Sequence, residues 1–189
     1  MKNLKIFAFS LTAISLLSAC SSDDNTAVPV NEEEVITTLS ATLVPVGGGT
    51  TVTLTSRDLD GDGPSAPVVT VSGPLAANTT YNGAVDLLNE TVTPAESITG
   101  EIVEEALDHQ YFYSATNNVA TFGYAAPFDS NGNPIGVNFT LTTAAPATGA
   151  ITFVLRHQPD KQGEGVSQGS IANAGGDSDV EVTFAVSVQ

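Results

Sequence analysis

The chain has 189 residues, of which 21 are acidic and five are basic, and its formal net charge at pH 7 is −16. This excess of negative charge repels phosphate groups, so nucleic acid is excluded as a partner. The chain has a single cysteine and therefore no intramolecular disulfide. The fold must depend on its hydrophobic core, for which a chain of this length is sufficient.

The first residues have the pattern of a bacterial lipoprotein signal. Lys2 and Lys5 stand at the start of an apolar run that ends in small residues before Cys20. An apolar segment of about 7–15 residues after a charged start is typical of a secretory signal, and it is too short to span a membrane as a helix. We predict that residues 1–19 are a signal peptide, that it is cleaved before Cys20, and that lipidation of Cys20 anchors the protein.

The residues after Cys20 indicate where the anchored protein is displayed. The sequence Ser21-Ser-Asp-Asp-Asn25 resembles the acidic export tag of Bacteroidota lipoproteins that reach the cell surface. Residues 20–33 contain few apolar side chains and many acids, which predicts a flexible tether spanning about 20 Å. We expect an outer-membrane lipoprotein, exposed at the cell surface, whose membrane contact comes from its acyl chains because so acidic a chain has no basic patch.

The pattern of residues 34–189 predicts one domain made mainly of strands. Short runs rich in Thr and Val are separated by Gly, Asn, Pro and Asp, and the last run alternates apolar and polar residues as a strand with one buried face does. Gly47–Gly49 predicts a hairpin between the first two runs. The pattern predicts an antiparallel immunoglobulin-like β-sandwich of about eight strands. The runs are residues 35–46, 50–55, 68–72, 78–89, 111–113, 119–124, 135–143, 151–155 and 180–188.

Residues 94–108 differ from the rest of the domain. Ile98, Ile102 and Ala106 recur at helical spacing, with acidic residues between them and Ser97 as a candidate N-cap. We predict one short helix that crosses between strands.

Asp58, Asp60 and Asp62 alternate along a loop that contains glycine, as oxygen ligands do at the start of a calcium loop. The bidentate glutamate that closes an EF-hand is missing, because Val69 stands at the twelfth position. The loop therefore has two interpretations: an incomplete calcium site, or a polar turn in which Asp and Gly allow the turn conformation of the backbone.

Both histidines lie beside acidic residues. If the helix continues far enough, Glu105 and His109 lie one turn apart on one face, and His157, followed closely by Asp160, ends a strand. Convergence of these four side chains would make a nitrogen and oxygen site suited to zinc or a similar divalent metal. The alternative is that both histidines are hydrogen-bonded or exposed at the ends of elements, with Arg156 and Lys161 paired to the acidic helix.

The sequence does not predict an enzyme. Gly165–Gly169 matches the nucleophile-elbow pattern, but both histidines precede Ser167, whereas that fold places its histidine afterwards. Glu104 and Glu105 are adjacent on the predicted helix and point about 100° apart, so they do not form a glycosidase pair.

Several segments together resemble a family of poorly characterised lipoproteins of marine and other flavobacteria. Members of that family are often labelled type 1 periplasmic binding fold superfamily, a label that names two α/β lobes, whereas the strand pattern here predicts a sandwich. The resemblance implies localisation and brings no activity with it. The segments are the lipobox, Leu17-Ser-Ala-Cys20, with the acidic residues after it, and Leu75–Tyr81, Leu87–Glu90, Asp108–Tyr113, Leu155–Lys161 and Asn173–Phe184.

Two functions remain open on the sequence. The first is a non-catalytic module that captures a divalent metal or metal complex for an outer-membrane transporter, and it predicts that the histidines converge. The second is a structural or adhesion domain of the cell envelope that binds another envelope protein. It predicts scattered histidines and an exposed apolar or aromatic patch near Tyr111 and Tyr113.

Overall fold

A computed structural model describes residues 34–61 and 63–189. The predicted signal peptide, the lipidated Cys20, the tether and Asp62 lie outside the described residues. The described residues belong to one compact unit.

The described part of the chain forms ten strands and one α-helix. Each predicted run overlaps one strand, and the two-residue strand β5 is additional. The long connection between the last two strands contains two 3-10 turns, Val166–Gln168 and Ile171–Asn173. The elements are β1 Thr38–Pro45, β2 Val52–Arg57, β3 Val68–Val71, β4 Thr80–Asn89, β5 Glu96–Ser97, α1 Ile98–Glu104, β6 His109–Ala115, β7 Ala120–Ala125, β8 Asn138–Thr143, β9 Ala147–His157 and β10 Asp177–Val188.

The strands form two antiparallel sheets. The larger sheet has the order β3-β2-β1-β4-β8-β7, with β5 paired to β4, and the smaller has the order β10-β9-β6. The predicted β-sandwich is thus confirmed, as are the hairpin between β1 and β2 and the position of β3 at a sheet edge. The strands form no α/β lobes of the kind that the family label names.

The main core lies between the two sheets. Leu39, Leu54 and Leu87 from the larger sheet and Phe153 and Phe184 from the smaller one have side chains that are almost completely buried. Side chains alternate between the two faces of a strand, so the alternating pattern of β10 directs one set inward. Burial of each such side chain contributes about 1.5–3 kcal/mol to folding.

A second, small apolar cluster lies on the opposite face of the smaller sheet. Phe112 on β6 and Val154 on β9 are register partners, and they pack with Val166 and Ala174 from the β9–β10 connection. This packing fixes the connection against the sheet directly after His157.

The predicted helix is present, but it is short. It starts at Ile98, after Ser97 in extended conformation, and buries Ile98 and Ile102. It ends at Glu104, so Glu105 and His109 do not share a helical face as the spacing had suggested. Within residues 34–61 and 63–189, no helix is long and apolar enough to cross a membrane.

Candidate metal centre

The two histidines meet at one end of the smaller sheet. His109 begins β6 and His157 ends β9, and in the antiparallel register of these strands they lie directly opposite each other. Their ring centroids are 4.5 Å apart with an interplanar angle of 66°. The side chain of His109 is completely buried and that of His157 is 6% exposed. The pairing of β6 with β9 therefore brings the two imidazole rings together in a buried position.

Two carboxylates complete a four-residue group, which we call the His–carboxylate cluster: Glu34, His109, His157 and Asp179. One potential ligand atom from each residue lies within 4.8 Å of all the others. His109 Nε2 lies 3.0 Å from Glu34 Oε1 and 3.7 Å from Asp179 Oδ2. His157 Nδ1 lies 3.6 Å from Glu34 Oε2 and 3.5 Å from Asp179 Oδ1. Each carboxylate therefore faces both imidazole rings.

Asp179 reaches the cluster from an irregularity of β10. The register between β9 and β10 shifts between Ser178 and Val180, which makes Asp179 the extra residue of a bulge. A bulge bends the strand and redirects a side chain. The Asp179 carboxylate is only 2% exposed, although it belongs to an edge strand.

Glu34 comes from the segment that leads into β1, on the other sheet. The next residues anchor this segment, because Ile36 packs against the main core and the Thr37 amide donates to the Leu88 carbonyl at 2.9 Å. The Glu34 side chain is 6% exposed. The cluster thus joins the two sheets at one end of the sandwich.

The backbone orients the ring of His109. His109 Nδ1 lies 3.2 Å from the carbonyl oxygen of Glu105. A proton on Nδ1 donates to this carbonyl, and the lone pair of Nε2 then faces the carboxylates. Metal-binding histidines are commonly held in this way through their second nitrogen.

Three buried atoms of the cluster make no hydrogen bond with any described residue: Glu34 Oε2, His109 Nε2 and His157 Nδ1. Buried polar atoms are nearly always hydrogen-bonded, so such a group requires an explanation. His157 Nδ1 lies 3.6 Å from Glu34 Oε2, and His109 Nε2 lies 3.0 Å from the other oxygen of the same carboxylate, Oε1. A cation among them would satisfy all three, and the cluster is able to hold a metal ion.

The surroundings of the cluster are negatively charged. Partial burial raises the pKa of Glu101 on α1, and repulsion from neighbouring carboxylates, including those of Glu96 and Glu34, raises it further. A negative potential of this kind concentrates cations near a site.

The structure brings together two of the four residues that the sequence proposed as metal ligands. The Glu105 carboxylate is 57% exposed and lies 4.0 Å from His109 Nδ1, the nitrogen that faces away from the cluster. Asp160 is exposed, and its Oδ1 accepts from the Gln162 amide at 3.0 Å. Both residues lie outside the cluster because α1 ends early and because the chain turns after His157.

The loop proposed for calcium has the bonds of a turn in its described part. Asp58 Oδ1 accepts from the Asp60 amide at 3.3 Å, and Asp60 Oδ2 accepts from the Ser65 amide at 3.2 Å. The bond from Ser65 is the main cause that lowers the pKa of Asp60. These carboxylates accept hydrogen bonds from backbone amides of the same loop, as Asp commonly does in polar turns.

Lys161 braces the segments that carry the two histidines. Its Nζ donates to the Ala106 carbonyl at 2.5 Å, to Asp129 Oδ2 at 3.2 Å and to the Pro134 carbonyl at 3.1 Å. Burial lowers the pKa of Lys161. Because Lys161 follows His157 by four residues and Ala106 precedes His109 by three, the ammonium group ties together the two chain segments beside the cluster.

Asp129 is the buried partner of Lys161. Its Oδ1 accepts from the amides of Asn131 and Asn133. Burial raises the pKa of Asp129, but the hydrogen bonds from Asn133, Lys161 and Asn131 outweigh that effect and lower it.

The two tyrosines near which an adhesion surface was predicted differ in burial. Tyr111 is completely buried, and Tyr113 stacks in the core and donates a hydrogen bond to the Gly136 carbonyl. Tyr113, Phe122 and Tyr124 line an open cleft of about 440 Å³ between β6 and β7. Tyr111 therefore belongs to no exposed patch, whereas Tyr113, Phe122 and Tyr124 are partly buried around the cleft.

No protein-family model, curated protein or solved structure matches the chain. Function is therefore inferred from the His–carboxylate cluster itself.

Proposed function

We propose that this protein is a lipid-anchored protein of the outer membrane, displayed at the cell surface, whose sandwich domain binds one divalent transition-metal ion and passes it to an outer-membrane transporter. The observation that carries the proposal is the convergence of two imidazoles and two carboxylates in a buried position. The anchor rests on the lipobox and Cys20, and the transporter on the expected surface location.

The donor set and its spacing suit zinc best. Zinc binds nitrogen and oxygen ligands at about 2.0–2.2 Å in a tetrahedron, whose edges are then about 3.3–3.6 Å long. The nitrogen–oxygen separations of 3.0–3.7 Å involve both oxygens of each carboxylate and lie close to that value. One potential ligand atom from each residue lies within 4.8 Å of the others. Calcium prefers six to eight oxygen ligands, so two imidazoles disfavour it.

Charge and burial favour a bare ion over a metal complex. Two carboxylates and two neutral imidazoles carry two negative charges, which one divalent cation neutralises. The side chains of the cluster are at most 6% exposed, and the ligand atoms lie within 4.8 Å of one another. A cluster of this size has no space for an organic chelate around the metal.

Calorimetric titration of the full-length protein in detergent with zinc, cobalt(II), manganese(II), magnesium and calcium tests the proposal. We expect one equivalent of zinc to bind and cobalt(II) to give the visible absorption of a tetrahedral complex. Magnesium and calcium are expected to bind weakly or not at all.

Variants separate the cluster from its acidic surroundings. His109→Ala combined with His157→Ala is expected to abolish zinc binding, and Glu34→Gln and Asp179→Asn should each weaken it. Glu105→Gln and Asp160→Asn are matched controls, because these carboxylates lie close to the histidines in sequence but outside the cluster. Zinc binding that persists in the double histidine variant, or that depends on the control residues, would overturn the proposal.

A further inference from the structure

A buried cluster needs a route by which an ion can reach it. The side chains of the His–carboxylate cluster are 0–6% exposed, so an ion must pass through a cleft that one of them lines. A cleft of about 370 Å³ lies between the β1–β2 end of the larger sheet and the start of β10. Asp179 lines this cleft and also belongs to the cluster.

The cleft has the size that a hydrated cation needs. Six water molecules occupy about 180 Å³ at about 30 Å³ each. A hydrated divalent ion therefore fits inside the cleft before it loses water to the ligands. The cleft of about 440 Å³ at Tyr113 is larger, but no cluster residue lines it.

Two further carboxylate residues line the cleft. Asp58 directly follows β2, and Glu181 belongs to β10, two residues beyond Asp179. Asp58 is half-buried and Glu181 is exposed. No basic residue lines the cleft, so the described part of its wall is acidic or neutral.

We infer that metal ions enter the cluster through the cleft between β1 and β10, and that Asp58 and Glu181 attract them to it. The inference rests on the proposed metal site. The buried atoms Glu34 Oε2, His109 Nε2 and His157 Nδ1, which make no hydrogen bond with the described residues, are where the ion would bind. Asp179 belongs both to this cluster and to the wall of the cleft. The sequence suggested Asp58 as a calcium ligand. In the proposed role its carboxylate attracts a cation toward the cluster without binding it.

Electrostatic attraction of this kind acts on the rate of association. Acidic groups that line a cleft raise the local concentration of cations and can accelerate association by about 10-fold or more at low ionic strength. Salt screens the effect over about 10 Å at 0.1 M. The residues should therefore change how fast the ion arrives, and leave its rate of departure from the ligands unchanged.

Stopped-flow absorbance of cobalt(II) binding to the full-length protein in detergent tests the route. Asp58→Asn combined with Glu181→Gln is expected to slow association about 3- to 10-fold at low ionic strength. The difference should vanish at high salt, and the dissociation rate, measured by dilution into chelator, should match that of the wild type. Asp58→Asn keeps a side-chain oxygen that can accept from the Asp60 amide, so the turn is preserved.

A charge-matched control removes two carboxylates elsewhere. Glu104 and Glu164 are exposed and line no part of the cleft, and Glu104→Gln with Glu164→Gln should leave the association rate close to that of the wild type. Equal slowing by both pairs would show a general charge effect and overturn the route. Wild-type protein that binds no cobalt or zinc would instead overturn the metal site. Glu181→Gln alone, at an exposed position, gives the same readout without risk to the fold.

Discussion

A Cβ atom on Gly176 would collide with the backbone carbonyl oxygen of His157. Gly176 has a φ of +68° and directly precedes β10, whose first residue pairs with His157. The absence of a side chain at Gly176 therefore lets β10, with Asp179, approach β9 closely enough to complete the His–carboxylate cluster.

Gly176→Ala should weaken zinc binding. The added methyl group must push the start of β10 away from His157 and thereby separate Asp179 from the imidazoles, so we expect a loss of at least about 10-fold in affinity, corresponding to about 1.4 kcal/mol. Gly175→Ala is the control, since Gly175 also has a positive φ of +58° but a Cβ atom there meets nothing within 4 Å. Isothermal calorimetry on both variants should show normal affinity for Gly175→Ala; equal loss in both would mean that backbone strain alone is responsible.

Zinc should stabilise the protein against heat. A ligand at 100 times its dissociation constant adds about 2.7 kcal/mol when it binds only the folded state. For a domain of this size that corresponds to an increase in Tm of about 5–10 °C. Circular dichroism melts with zinc, with magnesium and with excess chelator measure the shift. No shift is expected for magnesium or for His157→Ala, and a shift that persists in that variant would place the stabilising metal elsewhere.

Acid should release the metal. Imidazole and carboxylate bind a metal only in their unprotonated forms, so protons compete with the ion and the affinity falls as the pH falls. We expect about a 10-fold loss per pH unit for each proton released on binding, once the ligands protonate. Calorimetry between about pH 7.5 and about pH 5.5, in two buffers of different ionisation enthalpy, gives both the affinity and the number of protons. Constant affinity over this range would argue against histidine ligands.

The fold was largely predictable from the sequence, because it depends on local patterns. Alternation in Val180–Val188 and the turn at Gly47–Gly49 identify strands without any knowledge of their neighbours. The two-residue strand β5 is too short to leave a pattern. The end of α1 at Glu104 was not predicted, since the spacing of Ile98, Ile102 and Ala106 continues past the point where the helix stops.

The cluster was predictable only in part, because its members meet through strand order. His109 and His157 were identifiable as metal-binding residue types, but only the pairing of β6 with β9 brings them together. Glu34 was not identified as a ligand, because it is the last residue of an acidic run whose composition is typical of a tether. Asp179 depends on a bulge in β10, and simple alternation along that strand gives no sign of it.

Metal binding should fix the start of the domain. Glu34 precedes β1 and joins the cluster across the two sheets, and without a cation its carboxylate lies beside that of Asp179, so that like charges repel. Hydrogen exchange followed by mass spectrometry should show slower exchange at residues 35–37 with zinc than with chelator. Exchange in β8, far along the larger sheet, serves as the internal reference. In Glu34→Gln the protection by zinc at residues 35–37 should be reduced, and full protection in that variant would contradict the role of Glu34 as a ligand.

Breaking the Lys161–Asp129 pair should destabilise the domain and loosen the metal site. Lys161→Met leaves the Asp129 carboxylate buried without its cation, and loss of one partner of a buried pair costs about 3–5 kcal/mol. Urea unfolding measures this cost, and Lys161→Met with Asp129→Asn should cost less than the sum of the two single changes. Zinc affinity measured well below the unfolding transition should also fall in Lys161→Met, because the segments at Ala106 and His157 are no longer tied together.

The Lys161–Asp129 pair should make the free energy of unfolding depend on pH in the acidic range. Because the pKa of Asp129 is lower in the folded protein than its ordinary value of 3.8, the unfolded chain binds the proton more tightly. Its stabilising contribution is therefore complete above about pH 4 and is lost as the pH falls through the folded pKa. Urea unfolding of chelator-treated protein from neutral pH down to about pH 3 should show a steeper loss of stability for the wild type than for Asp129→Asn. Parallel curves for the two proteins would mean that the Asp129 carboxylate is not the group that carries this part of the acid response.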